Sequence, residues 1–228
     1  YDDERINFIE LTENRKYPSR VRNVGLKQAK GEFIAFCDDD DLWAKNKLEV
    51  QINYLLTHKE IELIATNAIL FPGYKVPSIL MFKDWKISFN QLIEGNCIIT
   101  PSVVLRKRIL EKGGYFDENE ILHIGEDWDL WLRIAKEHDN SIVILKDCLT
   151  YYRLNNEKIT GTYYDAERDF RSLIYVLKKH EKFTKTIIQD MVLDKELQIK
   201  LNEENQNNGV VFRAVSSKKI TFSDLLTN

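Results

Sequence analysis

The chain has 228 residues, 43% hydrophobic and 30% charged, with a net charge of −3. That balance reads as an ordinary soluble globular chain with one sizeable core, or a domain plus an appendage. It excludes an electrostatic drive toward nucleic acid, since no long Lys/Arg stripe is present, and no apolar run nears the roughly 20 residues needed to span a bilayer.

In chain order, Ile6–Leu11 is expected to form a strand after the turn-like Asp2-Asp3-Glu4. Pro18–Lys30 is expected to form a helix opened by Pro18, closed by Gly31 and carrying Val21, Val24 and Ala29 on a loose apolar face. The apolar run Phe33–Cys37 predicts a buried strand, and Lys45–His58 a helix with Leu48, Ile52, Leu55 and Leu56 on one stripe. Ile61–Ala65 predicts another strand. Phe71–Gln91, with Pro72-Gly73, Pro77 and several aromatics, reads as a loop-rich excursion over a sheet edge. Ile98–Leu105 predicts a strand that Pro101 confines to an edge or bulge. A short helix Arg106–Lys112 stopped by Gly113-Gly114, a strong helix Glu126–His138 and a last strand Ile142–Leu145 follow. Arg106-Lys107-Arg108 is expected to be a solvated helix face. Alternating helices and strands predict an α/β sheet that is mostly parallel.

Beyond Thr162 the character changes. Asp165–Lys179 predicts an amphipathic helix with Phe170, Leu173, Ile174 and Leu177 inward, and Thr184–Leu201 a more charged one. Glu203–Asn208 is a polar run. The expected organisation is a domain over 1–162 and a helical C-terminal extension with a polar tail over 163–228. Three scattered cysteines, Cys37, Cys97 and Cys148, make neither a disulfide framework nor a zinc knuckle. Each is expected to be a small buried hydrophobe in a reducing cytoplasm. No signal-peptide pattern is seen, and the opening Tyr1 predicts a piece of a longer chain.

Four consecutive aspartates, Asp38 to Asp41, end the run Phe33–Cys37. The carboxyl end of a strand is where open α/β sheets hold ligands. Adjacent carboxylates repel, and a divalent cation taking oxygen ligands would relieve that repulsion and could grip the phosphates of a nucleotide. Two plainer readings stand beside this one. The aspartates could be a solvated turn capping the next helix, and Glu126-Asp127 could be first-turn acids of theirs. A calcium loop of EF-hand type fits poorly, because Leu42 and Trp43 take places that want an oxygen ligand and a glycine.

Arg22-Asn23-Val24-Gly25, then Ala29-Lys30-Gly31-Glu32-Phe33 through Asp38-Asp39-Asp40-Asp41-Leu42-Trp43 and Lys47-Leu48-Glu49, resembles the family 2 glycosyltransferases. Gly114-Tyr115-Phe116-Asp117, Gly125-Glu126-Asp127-Trp128-Asp129-Leu130-Trp131-Leu132-Arg133 and Tyr152-Arg153 look like the family's later landmarks, in the right order over roughly residues 5–160. The resemblance implies a GT-A type nucleotide-binding sandwich. It implies Asp40 as ligand of a divalent cation (Mn²⁺ or Mg²⁺), with Asp38 facing the ribose or the same cation and Asp39 variable. It implies Arg22 near the nucleotide base, Asp127 as catalytic base, and Glu126 and Trp128 on the acceptor side, while the residues themselves favour core packing over a sugar platform for Trp128 and Trp131. The implied partners are a nucleotide-diphosphate-sugar donor, a UDP-sugar first among them, and a saccharide or lipid-linked saccharide acceptor. Attachment to the inner face of a membrane stays open. The family's front strands, which build much of the base and ribose pocket, are not seen at the start of the sequence, so the expectation is either that about 70 residues of a usual domain are lacking or that the pocket is built otherwise.

The implied activity is inverting, metal-dependent sugar transfer to a hydroxyl in polysaccharide or glycoconjugate synthesis. A nucleotide-sugar-forming nucleotidyltransferase would want a Gly-rich basic loop that is not seen. An aspartyl phosphatase would want a small hydroxyl residue where Leu42-Trp43 stands. A non-catalytic binding module on a truncated fold is the remaining alternative.

Overall fold

The computed structural model describes residues 3–12, 17–72, 76–154 and 166–180. The first compact unit of the chain is Tyr1–Glu181. The helix expected over 184–201 and the polar run 203–208 lie outside the described residues.

The elements are α1 (Pro18–Gln28), β1 (Phe33–Ala35), β2 (Leu42–Trp43), α2 (Lys47–Thr57), β3 (Leu63–Phe71), β4 (Val76–Pro77), β5 (Trp85–Ile87) and α3 (Phe89–Leu92). A 3₁₀ turn (Thr100–Ser102), β6 (Val104–Arg106), α4 (Arg108–Gly113), α5 (Glu126–Glu137), β7 (Ile142–Arg153) and α6 (Ala166–Lys179) complete them. Ile6–Leu11 lies in no strand, and Ile6 and Phe8 are exposed. The Phe71–Gln91 excursion holds β4 and β5, which pair with β3 and β7 at the sheet's margins.

The fold is α/β, but the sheet is mixed rather than mostly parallel. Its order is β1-β6-β3-β7-β2, and only β3 and β7 run parallel; every other pair is antiparallel. Parallel neighbours need long crossovers. Of the paired strands, only β3 and β4 are joined by a short connection; β6 is laid antiparallel between β1 and β3 after the chain has passed through β4, β5 and α3.

Ile64, Val104, Val143 and Leu145 form one core with Leu55 and Ile61, joined by Val50, Ile52 and Tyr54 of α2. Strand alternation turns Leu63, Leu105 and Ile144 to the opposite face, and these too are buried. Both faces are therefore covered, which is why these strands read as unbroken apolar runs.

Two helices depart in part from the expected faces, although Leu55 and Ile52 of α2 do pack on the core as expected. In α2 the buried residues are Lys47, Gln51 and Leu55, while Leu48 and Leu56 are exposed. Gln51 Nε2 donates to the carbonyls of Ile64 at 3.0 Å and Ser102 at 2.9 Å, fastening α2 to β3 and the 3₁₀ turn. Lys47 Nζ lies 4.2 Å from the Trp43 ring centroid, and burial pushes its ammonium down to about 8. In α1 the buried residues are Ser19, Asn23 and Leu26, while Val21 is exposed.

Pro101 lies in the 3₁₀ turn rather than in a strand, as its missing N–H requires, and β6 starts only at Val104. Arg106 is not solvated. Its guanidinium is buried, donates to the carbonyls of Ile61 at 3.0 Å and of Leu55, and stands over Phe33. Arg108 does face solvent, paired with Glu62. The cysteines are free and none is fully buried; Cys37 is exposed.

Candidate active site

Backbone geometry shapes the acidic run into a tight turn, with the Asp41 N–H donating to the Asp38 carbonyl at 3.2 Å. Asp39 is exposed, Asp38 and Asp40 are half-buried and Asp41 is buried. The turn does not cap α2, because β2 intervenes and the helix N-cap is Asn46. β7 holds the turn from the side. It continues eight residues past the predicted strand end at Leu145, to Arg153. There the Arg153 N–H donates to Asp41 Oδ1 and its Nε to the Asp40 carbonyl, each at 2.7 Å.

Arg22 of α1 joins the turn to α5. Its Nη2 donates to Asp38 at 3.0 Å and its Nη1 to Glu126 Oε1 at 2.7 Å, while the guanidinium lies over Phe116. Burial alone would depress Arg22, but Asp38, then Glu126 and Asp127, more than offset it and hold the guanidinium above its ordinary value. Asn23, the next residue, fixes the other side of Phe116 by exchanging two hydrogen bonds with its backbone, at 2.9 and 3.0 Å.

Asp127 stands in the first turn of α5, which opens on Gly125 at φ +77°. Its Oδ2 accepts from Thr100 Oγ1 at 2.8 Å, and its Oδ1 from Asn96 Nδ2 at 3.2 Å and the Trp128 N–H at 2.7 Å. Desolvation lifts the carboxyls of both Asp127 and Glu126 above the usual range, and repulsion from Asp127 adds to the rise at Glu126. The first-turn reading of these acids is thus true of their position, yet Asp127 also faces Thr100 and Asn96 from other segments.

Arg22 brings the acidic turn and the first turn of α5 together, since it pairs with Asp38 on one side and with Glu126, next to Asp127, on the other. Tyr152 is raised first by desolvation and then by Asp41, Asp38, Asp40 and Asp127, so carboxylates from both halves act on a single phenol. Trp43, two residues beyond the turn, donates its Nε1 to the Pro101 carbonyl at 2.8 Å, next to Thr100.

Trp128 and Glu126, the two residues assigned to the acceptor side, are both buried. Trp128 is only 4% exposed and donates its Nε1 to the Leu92 carbonyl at 2.8 Å, so its ring packs in the core rather than forming an open sugar platform. Glu126, 8% exposed, is occupied by Arg22. Sequence reading missed Thr100, Asn96 and Tyr152 as parts of the site. Tyr152 stood within a family landmark, whereas no local signal marks Thr100 or Asn96.

Thr100→Val removes a donor that favours the ionised form of Asp127. A hydrogen bond to a charged group is worth about 1.5–3 kcal/mol, so turnover should fall roughly 10- to 150-fold with donor KM little changed. The acid limb of the pH–rate profile should move to higher pH, because the carboxyl rises further. A profile superimposable on wild type would remove Thr100 from the site.

Among the described residues, no three His, Cys, Asp or Glu side chains gather into a ready-made metal cluster. The donor set that is present, half-buried Asp38 and Asp40 on one tight turn, fits a hard cation that takes one or two carboxylates and completes its shell with water and substrate phosphates.

The profile of "Glycosyltransferase like family 2" matches residues 5–213. The chain belongs to the family 2 glycosyltransferases. One relative in this family is the UDP-Glc:alpha-D-GlcNAc-diphosphoundecaprenol beta-1,3-glucosyltransferase WfgD of Escherichia coli, 32% identical over 167 residues. The match covers 71% of this family 2 chain and 60% of WfgD, so the chain spans about three-fifths of that relative's length. Crystal structures of S. aureus TarS share the GT-A fold. The complex with UDP-GlcNAc superposes with a TM-score of 0.58 at 25% identity, covering 73% of this chain and 47% of TarS. The UDP complex superposes with a TM-score of 0.51 at 25% identity, covering 77% and 55%. Among the described residues of this glycosyltransferase-family chain, no helix is long and apolar enough to cross a membrane.

Proposed function

We propose that the protein transfers a sugar from a nucleoside diphosphate donor to an acceptor hydroxyl, with inversion at the anomeric carbon. The observation that carries this is the bridge made by Arg22, which pairs with Asp38 of the acidic turn and with Glu126, next to Asp127, at the start of α5. UDP is the preferred nucleotide, since TarS structures hold UDP and UDP-GlcNAc and the name of WfgD specifies UDP-Glc. A saccharide or lipid-linked saccharide acceptor follows from the same name.

Asp38 and Asp40 would hold a Mn²⁺ or Mg²⁺ ion, which when bound supplies Lewis-acid stabilisation of the departing diphosphate. Arg22 keeps Asp38 oriented and screens the charge that accumulates between the turn and α5. Asp127 takes the proton of the acceptor hydroxyl as its oxygen attacks the anomeric carbon. Thr100 and Asn96 hold that carboxylate in one orientation. A single displacement from the face opposite the leaving group inverts the centre and needs no second nucleophile.

Calorimetry of UDP with and without Mn²⁺ tests the binding half. Asp40→Ala should weaken the Mn²⁺-dependent component by more than the roughly 10–100-fold that loss of an outer-shell partner costs. Unchanged binding would remove Asp40 as a ligand. The anomeric configuration of the product, read by NMR coupling, tests inversion.

A further inference from the structure

α6 lies beyond the stretch that carries the family motifs, yet it contacts the catalytic helix at two points. The first is the N-cap of α5. A Cβ on Gly125 would meet Leu173 Cδ2 and Val176 Cγ2 at 3.7 Å each, so α6 seats its apolar side against the residue that opens α5. Gly125 takes φ +77°, a left-handed conformation that glycine adopts without strain. The second is Asp129, fully buried one turn into α5. Lys179 Nζ reaches it at 3.0 Å, His180 Nε2 at 3.1 Å, and Arg133 Nε from α5 itself at 3.0 Å. Desolvation opposes the charge on Asp129, but the His180 hydrogen bond and the charges of Arg133 and Lys179 hold its carboxyl down at about 2.

The same helix grips the segment leading into α5. Lys179 Nζ and the Tyr175 hydroxyl bind Asp117 Oδ2 at 2.7 and 3.2 Å, His123 Nε2 pairs with Asp169 at 2.8 Å, and Ser172 Oγ donates to the Ile121 carbonyl. A buried ion pair is weak grounds for stability alone, since apolar packing could replace it. What it does supply is direction. Asp129 sits two residues after Asp127 on a rigid turn, so fixing one fixes the other.

We propose that α6 is a positioning strut for the catalytic carboxylate: Lys179 and His180 anchor Asp129, Leu173 and Val176 seat Gly125, and together they set where Asp127 stands. The proposal rests on Asp127 being the base. His180 and Lys179 are positioning residues, since neither is placed against substrate.

His180→Ala in the full chain isolates the arm to α5, and hydrogen–deuterium exchange reads it without substrate. The amides of Trp128 and Asp129 should exchange faster while those of β3 stay protected. Displacement of a reacting group by even a fraction of an ångström is costly, so kcat should fall about tenfold with donor KM within about twofold. His180→Gln keeps a donor near the Nε2 position and should restore both readouts. Lys179→Met repeats the exchange measurement if His180→Ala does not fold. Unchanged exchange, or full turnover in a folded His180→Ala, overturns the proposal. If Asp127→Asn also keeps its turnover, the base assignment has failed, and the strut with it. If Asp127→Asn is dead while His180→Ala is fully active, only the strut falls.

Discussion

Asp127→Asn should lower the rate of sugar transfer by about 10³-fold, within the range that general-base catalysis supplies, while UDP binding persists. The amide is nearly isosteric and can still accept from Thr100 or Asn96, so what is lost is the ability to take a proton. Wild-type turnover should decline as pH falls through a value above the ordinary carboxylate range, because desolvation raises Asp127 and only the ionised form is a base. The same shift sets a sign for stability. A carboxyl raised in the folded state holds its proton longer than in the unfolded chain, so it costs stability as pH rises from its unfolded value through the raised one. The melting temperature of Asp127→Asn relative to wild type should therefore improve as pH rises above the ordinary carboxylate value. Turnover retained at neutral pH would end the base assignment.

Arg22→Met should be among the most destabilising single substitutions in the site. It leaves Glu126 buried beside Asp127 without its cation and frees Asp38 from its orienting partner. Breaking one side of a largely buried ion pair costs about 3–5 kcal/mol, which for a chain of this size lowers Tm by roughly 6–20 °C. Desolvation and repulsion from Asp127 already raise Glu126, and losing Arg22 raises it further. The deficit should thus be small below the ordinary carboxylate range and grow toward neutral pH, where burying the ionised form is penalised. Adding Glu126→Gln should recover most of the loss, as expected for residues that act as a unit. Additive losses in the double variant would show that Arg22 and Glu126 stabilise the fold independently.

Much of the site was legible because its chemistry is carried by short local strings. The acidic run ends an apolar strand, Arg22-Asn23 lies in α1, and Glu126-Asp127 opens an amphipathic helix; each sits where its string predicts. Thr100 was hidden because its importance comes from Pro101. The proline breaks the expected strand into a 3₁₀ turn that points the Thr100 hydroxyl at Asp127. Tyr152 was undervalued because the predicted strand stopped at Leu145. Only pairing with β3 beyond two register shifts carries β7 to the acidic turn.

The faces of the helices were read least well, for one physical reason. Periodicity assumes that apolar residues point inward, but α1 buries Asn23 and α2 buries Lys47 and Gln51. Those polar groups go inside because partners elsewhere meet them: the Phe116 backbone for Asn23, the Ile64 and Ser102 carbonyls for Gln51, the Trp43 ring for Lys47. The partners of Asn23 and Gln51 lie in other segments of the chain, and even the nearby Trp43 ring meets Lys47 only because β2 and α2 fold against each other. The sequence by itself determined the family, the main helices and the acidic strings of the candidate site. Strand direction, the polar residues buried by α1 and α2 and the meeting of Arg22 with Asp38 and Glu126 were decided by the tertiary structure, since each depends on which segments come to lie side by side.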